Sequence, residues 1–127
     1  MRVLIDTQVL IWMATGEESE LSAAAKRSFQ ADELFVSIVS YWEIAIKRTI
    51  GKLRWDKRET EAFARGLHEN QIREIPIRRS HCDRVAALPW HHRDPFDRML
   101  IAQATMEEFA LLTADRRFGK YKVNVVW

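Results

Sequence analysis

A chain of 127 residues, 47% hydrophobic and 30% charged, has the size and make-up of one compact domain over residues 1–127, which excludes a disordered or low-complexity protein. Its single cysteine, Cys82, excludes an internal disulfide and any zinc site built on paired cysteines, and is expected to be a partly buried small side chain. A formal net charge of +2 says little about a nucleic-acid partner by itself, but basic residues gather in Lys47-Arg48, Lys52-Leu-Arg54, Lys57-Arg58, Arg78-Arg79 and Arg116-Arg117, away from the acids discussed below.

Arg2-Val-Leu-Ile reads as a first strand. Asp6-Thr7-Gln8 then interrupts the apolar run before Val9-Leu-Ile-Trp-Met, so neither a signal-peptide core nor a membrane span is expected, and the chain is expected in the cytoplasm. Ser22 opens a helix carrying Ala25 and Phe29, and Leu34-Phe-Val-Ser-Ile is a second strand. Ser40 opens a helix carrying Ile44, with Gly51 as its stop. A polar helix follows from about Lys57 to Asn70, with Phe63 and Leu67 one turn apart. Ile72-Arg-Glu-Ile is a strand, and a short helix with Val85 and Leu88 ends before Pro89. Asp94-Pro95 starts a helix whose inward face uses Phe96, Leu100 and Ala104. Leu111-Leu-Thr and Val123-Asn-Val-Val complete the strands. This β-α alternation, with apolar strands lacking strict alternation, predicts an α/β fold with a central parallel sheet covered on both faces.

In such a sheet ligands bind beyond the carboxyl ends of the strands, which singles out four acids. Asp6 directly follows the first strand, and Asp115 closely follows Leu111-Leu-Thr-Ala. Glu43 lies in the first turn of the helix after the second strand, and Asp97 in the first turn of the helix at Asp94. Each has a local alternative: Ser40-Tyr-Trp-Glu43 fits a capping box, Glu43 can pair with Lys47, and Asp94 reads as the cap of the helix that holds Asp97. Together, carboxylates at one sheet end repel one another unless a cation neutralises them. An all-oxygen cluster favours Mg²⁺ or Mn²⁺, which suits phosphodiester hydrolysis.

Asp6-Thr7, Trp42-Glu43-Ile-Ala-Ile-Lys47, Asp97-Arg-Met-Leu-Ile-Ala-Gln-Ala104 and Leu112-Thr-Ala-Asp115 together resemble the PIN-domain family, specifically VapC toxins of type II toxin–antitoxin modules. The resemblance covers nearly the whole chain. It implies a three-layer α/β/α fold with a parallel sheet of four to five strands, and a Mg²⁺- or Mn²⁺-dependent endoribonuclease that cleaves phosphodiester bonds by a metal-activated water. The partners it implies are an RNA substrate, a cognate VapB-type antitoxin and a second copy in a homodimer. By motif, Asp6 and Asp97 are the principal metal ligands and catalytic acids, with Glu43 and Asp115 completing the pocket partly through water. Thr7 and Thr113 position these waters or carboxylates, and Asp94 caps its helix beside the site.

His91-His92 forms no recognised ligand spacing and is read as a contributor to RNA contact, while His68 and His81 are placed on the surface. Trp12 and Trp42 are read as core or interface, and Trp55, in a basic loop, as the base-stacking candidate. The competing functions are a catalytically silent PIN fold that binds RNA, and a phosphatase using Asp6 as nucleophile, which lacks a second acid where Gln8 stands.

Overall fold

The computed structural model describes all residues, 1–127. In chain order the elements are β1 (Arg2–Ile5), α1 (Thr7–Thr15), α2 (Ala23–Ala31), β2 (Glu33–Ser37), α3 (Ile38–Thr49), α4 (Lys57–Glu69), β3 (Arg73–Ile75), α5 (Arg79–Ala87), α6 (Pro95–Met106), β4 (Ala110–Leu112) and β5 (Val125–Val126). The five strands make one sheet in the order β3-β2-β1-β4-β5, and every pairing is parallel.

Side chains alternate across this sheet, and each face has its own core. Leu4, Phe35 and Leu111 pack with Leu100, Ile101 and Ala104 of α6 and with Phe118. Val3, Ile5, Leu34, Val36 and Leu112 face the other way, onto Val9 and Leu10 of α1 and Ala25 of α2. Helices therefore cover both faces, as a parallel sheet requires. No helix is long and apolar enough to cross a membrane.

Two elements differ from the sequence expectation. Residues 7–15, Thr-Gln-Val-Leu-Ile-Trp-Met-Ala-Thr, form a helix absent from the expected set. Its Val9 and Leu10 meet the sheet while Ile11 and Ala14 meet Ile44 and Trp55, so the helix is apolar on several sides and shows no clean stripe. The next helix begins at Ile38, with Ser37 as its cap and its side chain accepting from the Val39 amide at 3.1 Å. Ser40 thus lies inside α3 and is no capping-box partner of Glu43, and Glu43 sits in the second turn. Beyond α3, Gly51 takes φ +76°, a left-handed conformation that glycine adopts without steric cost.

Four side chains also change place. Trp55 is buried against Phe63 and Arg48, so it presents no stacking face to a ligand. His81 is buried as well, with Nδ1 accepting from the Arg78 amide and Nε2 bonded to Glu107 at 2.9 Å, which ties α5 to the end of α6. Cys82, beside it on α5, faces solvent. Trp42 lies 59% exposed, its ring edge-on to Phe96 at 5.3 Å, and is no part of the core.

Candidate active site

The central position of β1 brings distant parts of the chain to one point. Asp6 leaves the end of β1, and its amide bonds to the Leu112 carbonyl of the neighbouring β4, which delivers Thr113 and Asp115 alongside. The Thr113 hydroxyl donates to Asp6 Oδ2 at 2.7 Å and accepts the Asp115 amide at 3.0 Å, linking the two acids through one side chain. Helix α3 contributes Glu43 and α6 contributes Asp97. Asp6, Glu43, Asp94, Asp97 and Asp115 line one cleft of about 310 Å³ with Gln8, Lys47 and Ala114. Thr7 lies just outside this set, its hydroxyl sharing a 2.8 Å hydrogen bond with Ser40 that pins the start of α1 to α3.

The acids differ in electrostatic state. Burial pushes the Asp97 carboxyl up to about 8, with repulsion from Asp6, Asp94, Glu43 and Asp115 adding to the effect. Burial likewise raises Asp6 to about 6, reinforced by Glu43 and Asp115 and opposed by the Thr113 hydrogen bond. Asp115 goes the other way, to about 2, because the Arg117 guanidinium grips it, through Nε at 3.0 and 3.1 Å and Nη2 at 2.7 Å. Lys47 bonds Glu43 Oε2 at 2.8 Å. Burial opposes its ammonium, but that bond and the charges of Glu43, Asp94 and Asp97 outweigh burial and hold its pKa above the ordinary lysine value.

Asp94 has a different task. Its Oδ1 accepts the amides of Phe96 at 2.9 Å and Asp97 at 3.1 Å, capping α6 with Pro95 at the first helical position. Asp94→Ala is expected to lower unfolding free energy by about 1 kcal/mol in urea titrations. Asp94→Asn keeps the cap and removes a charge facing Asp97, so it should be at least as stable as the parent. Equal losses in the two variants would remove capping as the role of this side chain.

The donor set suits a hard divalent cation. It is all oxygen, and Glu43 Oε1 is a buried atom with no hydrogen-bond partner, an arrangement that costs stability unless something else satisfies it. Asp6 and Asp97 line the cleft with it, whereas both Asp115 oxygens are engaged by Arg117.

His92 is the residue that the sequence reading misplaced. Its side chain is almost wholly buried, so it presents no surface to RNA, and its Nε2 lies 3.0 Å from Asp97 Oδ2 and 3.1 Å from Asp115 Oδ2. His92, Asp97 and Asp115 offer ligand atoms within 4.8 Å of one another, yet Nδ1 accepts the Asp94 amide at 3.2 Å. The ring hydrogen therefore sits on Nε2 and is donated to Asp115, occupying the lone pair a metal would need. The sequence signal was a histidine two residues before a helix cap, close enough for its ring to accept the cap's own amide.

The PIN-domain family model matches residues 3–124. Ribonuclease VapC22 of Mycobacterium tuberculosis is 31% identical over 129 residues, an alignment covering 94% of this chain and 92% of that protein. In structure, the chain resembles VapBC2 from Rickettsia felis, solved bound to a DNA fragment from their promoter, with a TM-score of 0.77 at 11% identity over 98% of this chain and 97% of that one. It also resembles the DNA-bound VapBC from Salmonella typhimurium, with a TM-score of 0.68 at 9% identity over 98% of this chain and 96% of that one.

Proposed function

The chain belongs to the PIN-domain family, among its VapC-type ribonucleases, and we propose that it is a metal-dependent endoribonuclease, the toxin of a toxin–antitoxin pair, with Asp6, Glu43 and Asp97 at the reacting centre. The observation that carries this reading is the convergence of carboxylates from four separate segments on one cleft, with Glu43 Oε1 left without a partner.

Asp6 and Asp97 would hold Mg²⁺ or Mn²⁺ directly, and the bound ion would polarise the scissile phosphate and acidify a water. Thr113 fixes Asp6 by its hydrogen bond, and Lys47 fixes Glu43 through Oε2, leaving Oε1 free to accept a proton from that water. Hydrolysis by such a water would join its oxygen to phosphorus, break one P–O ester bond, and return the proton taken by Glu43 to the departing oxygen. Asp115, its oxygens taken by Arg117 and His92, acts on the cleft as a fixed negative charge and an outer support. Exposed Arg93, Arg116 and Lys120 flank the acids and would hold RNA backbone, so binding weakens as salt rises.

Solved structures of this fold include VapBC complexes, which supports a VapB-type antitoxin as partner here, and the family resemblance extends the proposal to a homodimer. The deciding experiment is incubation of total RNA with purified, antitoxin-free protein in Mg²⁺, Mn²⁺ or EDTA, beside Asp6→Asn prepared identically. Discrete fragments are expected with metal only, and none with the variant. A folded protein that binds RNA but never cuts it would favour a silent RNA-binding PIN domain.

A further inference from the structure

We propose that His92 is a positioning residue for the reacting centre, donating its Nε2 hydrogen to Asp115 with Asp97 alongside, so that the two carboxylates keep a fixed spacing. The proposal rests on the ribonuclease reading above and extends it to a side chain outside the acidic set.

The imidazole is held on every side. The Asp94 amide occupies Nδ1 at 3.2 Å and so sets the tautomer. The His92 amide donates to the Tyr121 hydroxyl at 2.9 Å, and that hydroxyl donates to the Pro89 carbonyl at 2.8 Å. Phe118 packs edge-on to the ring at 5.4 Å. From α6, the buried Arg98 donates to the carbonyls of Val85, Leu88, Pro89 and His92, and its guanidinium lies 4.0 Å from the centroid of Trp90. A charged side chain accepting burial to satisfy four carbonyls at the end of α5 and in the loop after it fixes segment 85–92 to the helix that carries Asp97.

This arrangement has a direct consequence for the acids. Asp97 and Asp115 repel each other, and an N–H bonded to Asp115 Oδ2, with its nitrogen 3.0 Å from Asp97 Oδ2, opposes that repulsion and holds the two carboxyl groups in place. Orienting partners of this kind typically carry a large share of a site's metal affinity. His92 thus acts through Asp97 and Asp115 and touches neither substrate nor ion.

The test uses three substitutions that separate the two ring nitrogens. His92→Asn reaches only as far as Nδ1, so its Oδ1 can accept the Asp94 amide and keep the loop, with nothing offered to the carboxylates. His92→Gln reaches as far as Nε2 and restores an N–H there. His92→Ala removes both. Mn²⁺ affinity is measured by titration calorimetry on the folded proteins, with melting temperature and RNA cleavage alongside, and the wild-type tautomer is read from imidazole ¹⁵N shifts.

Alanine and asparagine are expected to weaken Mn²⁺ binding by about 10–100-fold, with glutamine recovering most of the loss. The wild-type ring should show Nε2–H. A purely structural role would instead make asparagine the better replacement. Asparagine binding Mn²⁺ as tightly as the parent, glutamine no better than asparagine, or an Nδ1–H ring would each overturn the proposal while leaving the ribonuclease reading intact. A wild-type protein that takes up no Mn²⁺ and cuts no RNA would overturn that reading, and the proposal with it.

Discussion

Asp97→Asn is expected to reduce RNA cleavage by at least about 10³-fold, through loss of the electrostatic stabilisation and metal coordination at the reacting centre. The same substitution should raise the melting temperature of the metal-free protein. Burial and four neighbouring acids raise the Asp97 carboxyl to about 8 from an ordinary 3.8, so the fold favours its protonated form. A raised carboxyl contributes stability that is fully present below the unfolded value and is lost as pH climbs to the folded one. By pH 8 that loss is nearly complete, and asparagine, which is isosteric and uncharged, does not suffer it. A gain of about 5 °C at pH 8, shrinking toward pH 4, is the expected signature in thermal unfolding with EDTA. A variant that melts lower than the parent at pH 8 would show that Asp97 is better accommodated by the metal-free fold than its surroundings imply. Full cleavage by a folded variant would remove Asp97 from the reaction.

Mn²⁺ should stabilise the parent protein, and by more at pH 8 than at pH 6. Binding requires the carboxylates charged, and protons must leave Asp97, near 8, and Asp6, near 6, before both can serve. Over that window the displaced proton is mainly that of Asp97, which makes affinity climb about tenfold per pH unit. Asp115, near 2, is charged throughout and adds no slope. Thermal shifts with and without Mn²⁺ at pH 6, 7 and 8 check this, with Asp97→Asn as the control that should hardly respond. A shift of equal size at pH 6 and pH 8 would mean that the raised carboxyls are not those that hold the ion.

Much of this centre was legible because the chain writes it at the ends of elements. Asp6 immediately and Asp115 closely follow apolar strands, and Asp97 follows an Asp-Pro start that marks a helix in almost any context. Lys47, four residues after Glu43, announced an ion pair by spacing alone, and the structure contains it. What stayed hidden depends on tertiary neighbours. Whether Trp55 faces water or packs on Phe63 is decided by a helix that contacts it only in the folded chain, and the surrounding basic residues pointed to the surface. The same holds for α1, whose apolar positions are shared between the sheet and α3. His92 and Arg98 stayed hidden because polar side chains are normally expected outside, and both are buried to satisfy groups that come together only when the loop at 85–92 folds back on α6.

The placing of β1 at the middle of the sheet also has a consequence in time. Asp6 is anchored by Thr113, and these residues stand 107 apart in the chain. Closing so long a span is slow, because the entropy of the loop is lost before any of its contacts forms. β1 meets β2 across a short separation and β4 only across this long one, so the wall that Thr113 and Asp115 add to the cleft is among the last parts of the fold to close. A chain caught part-way through folding therefore holds Asp6 without its anchor.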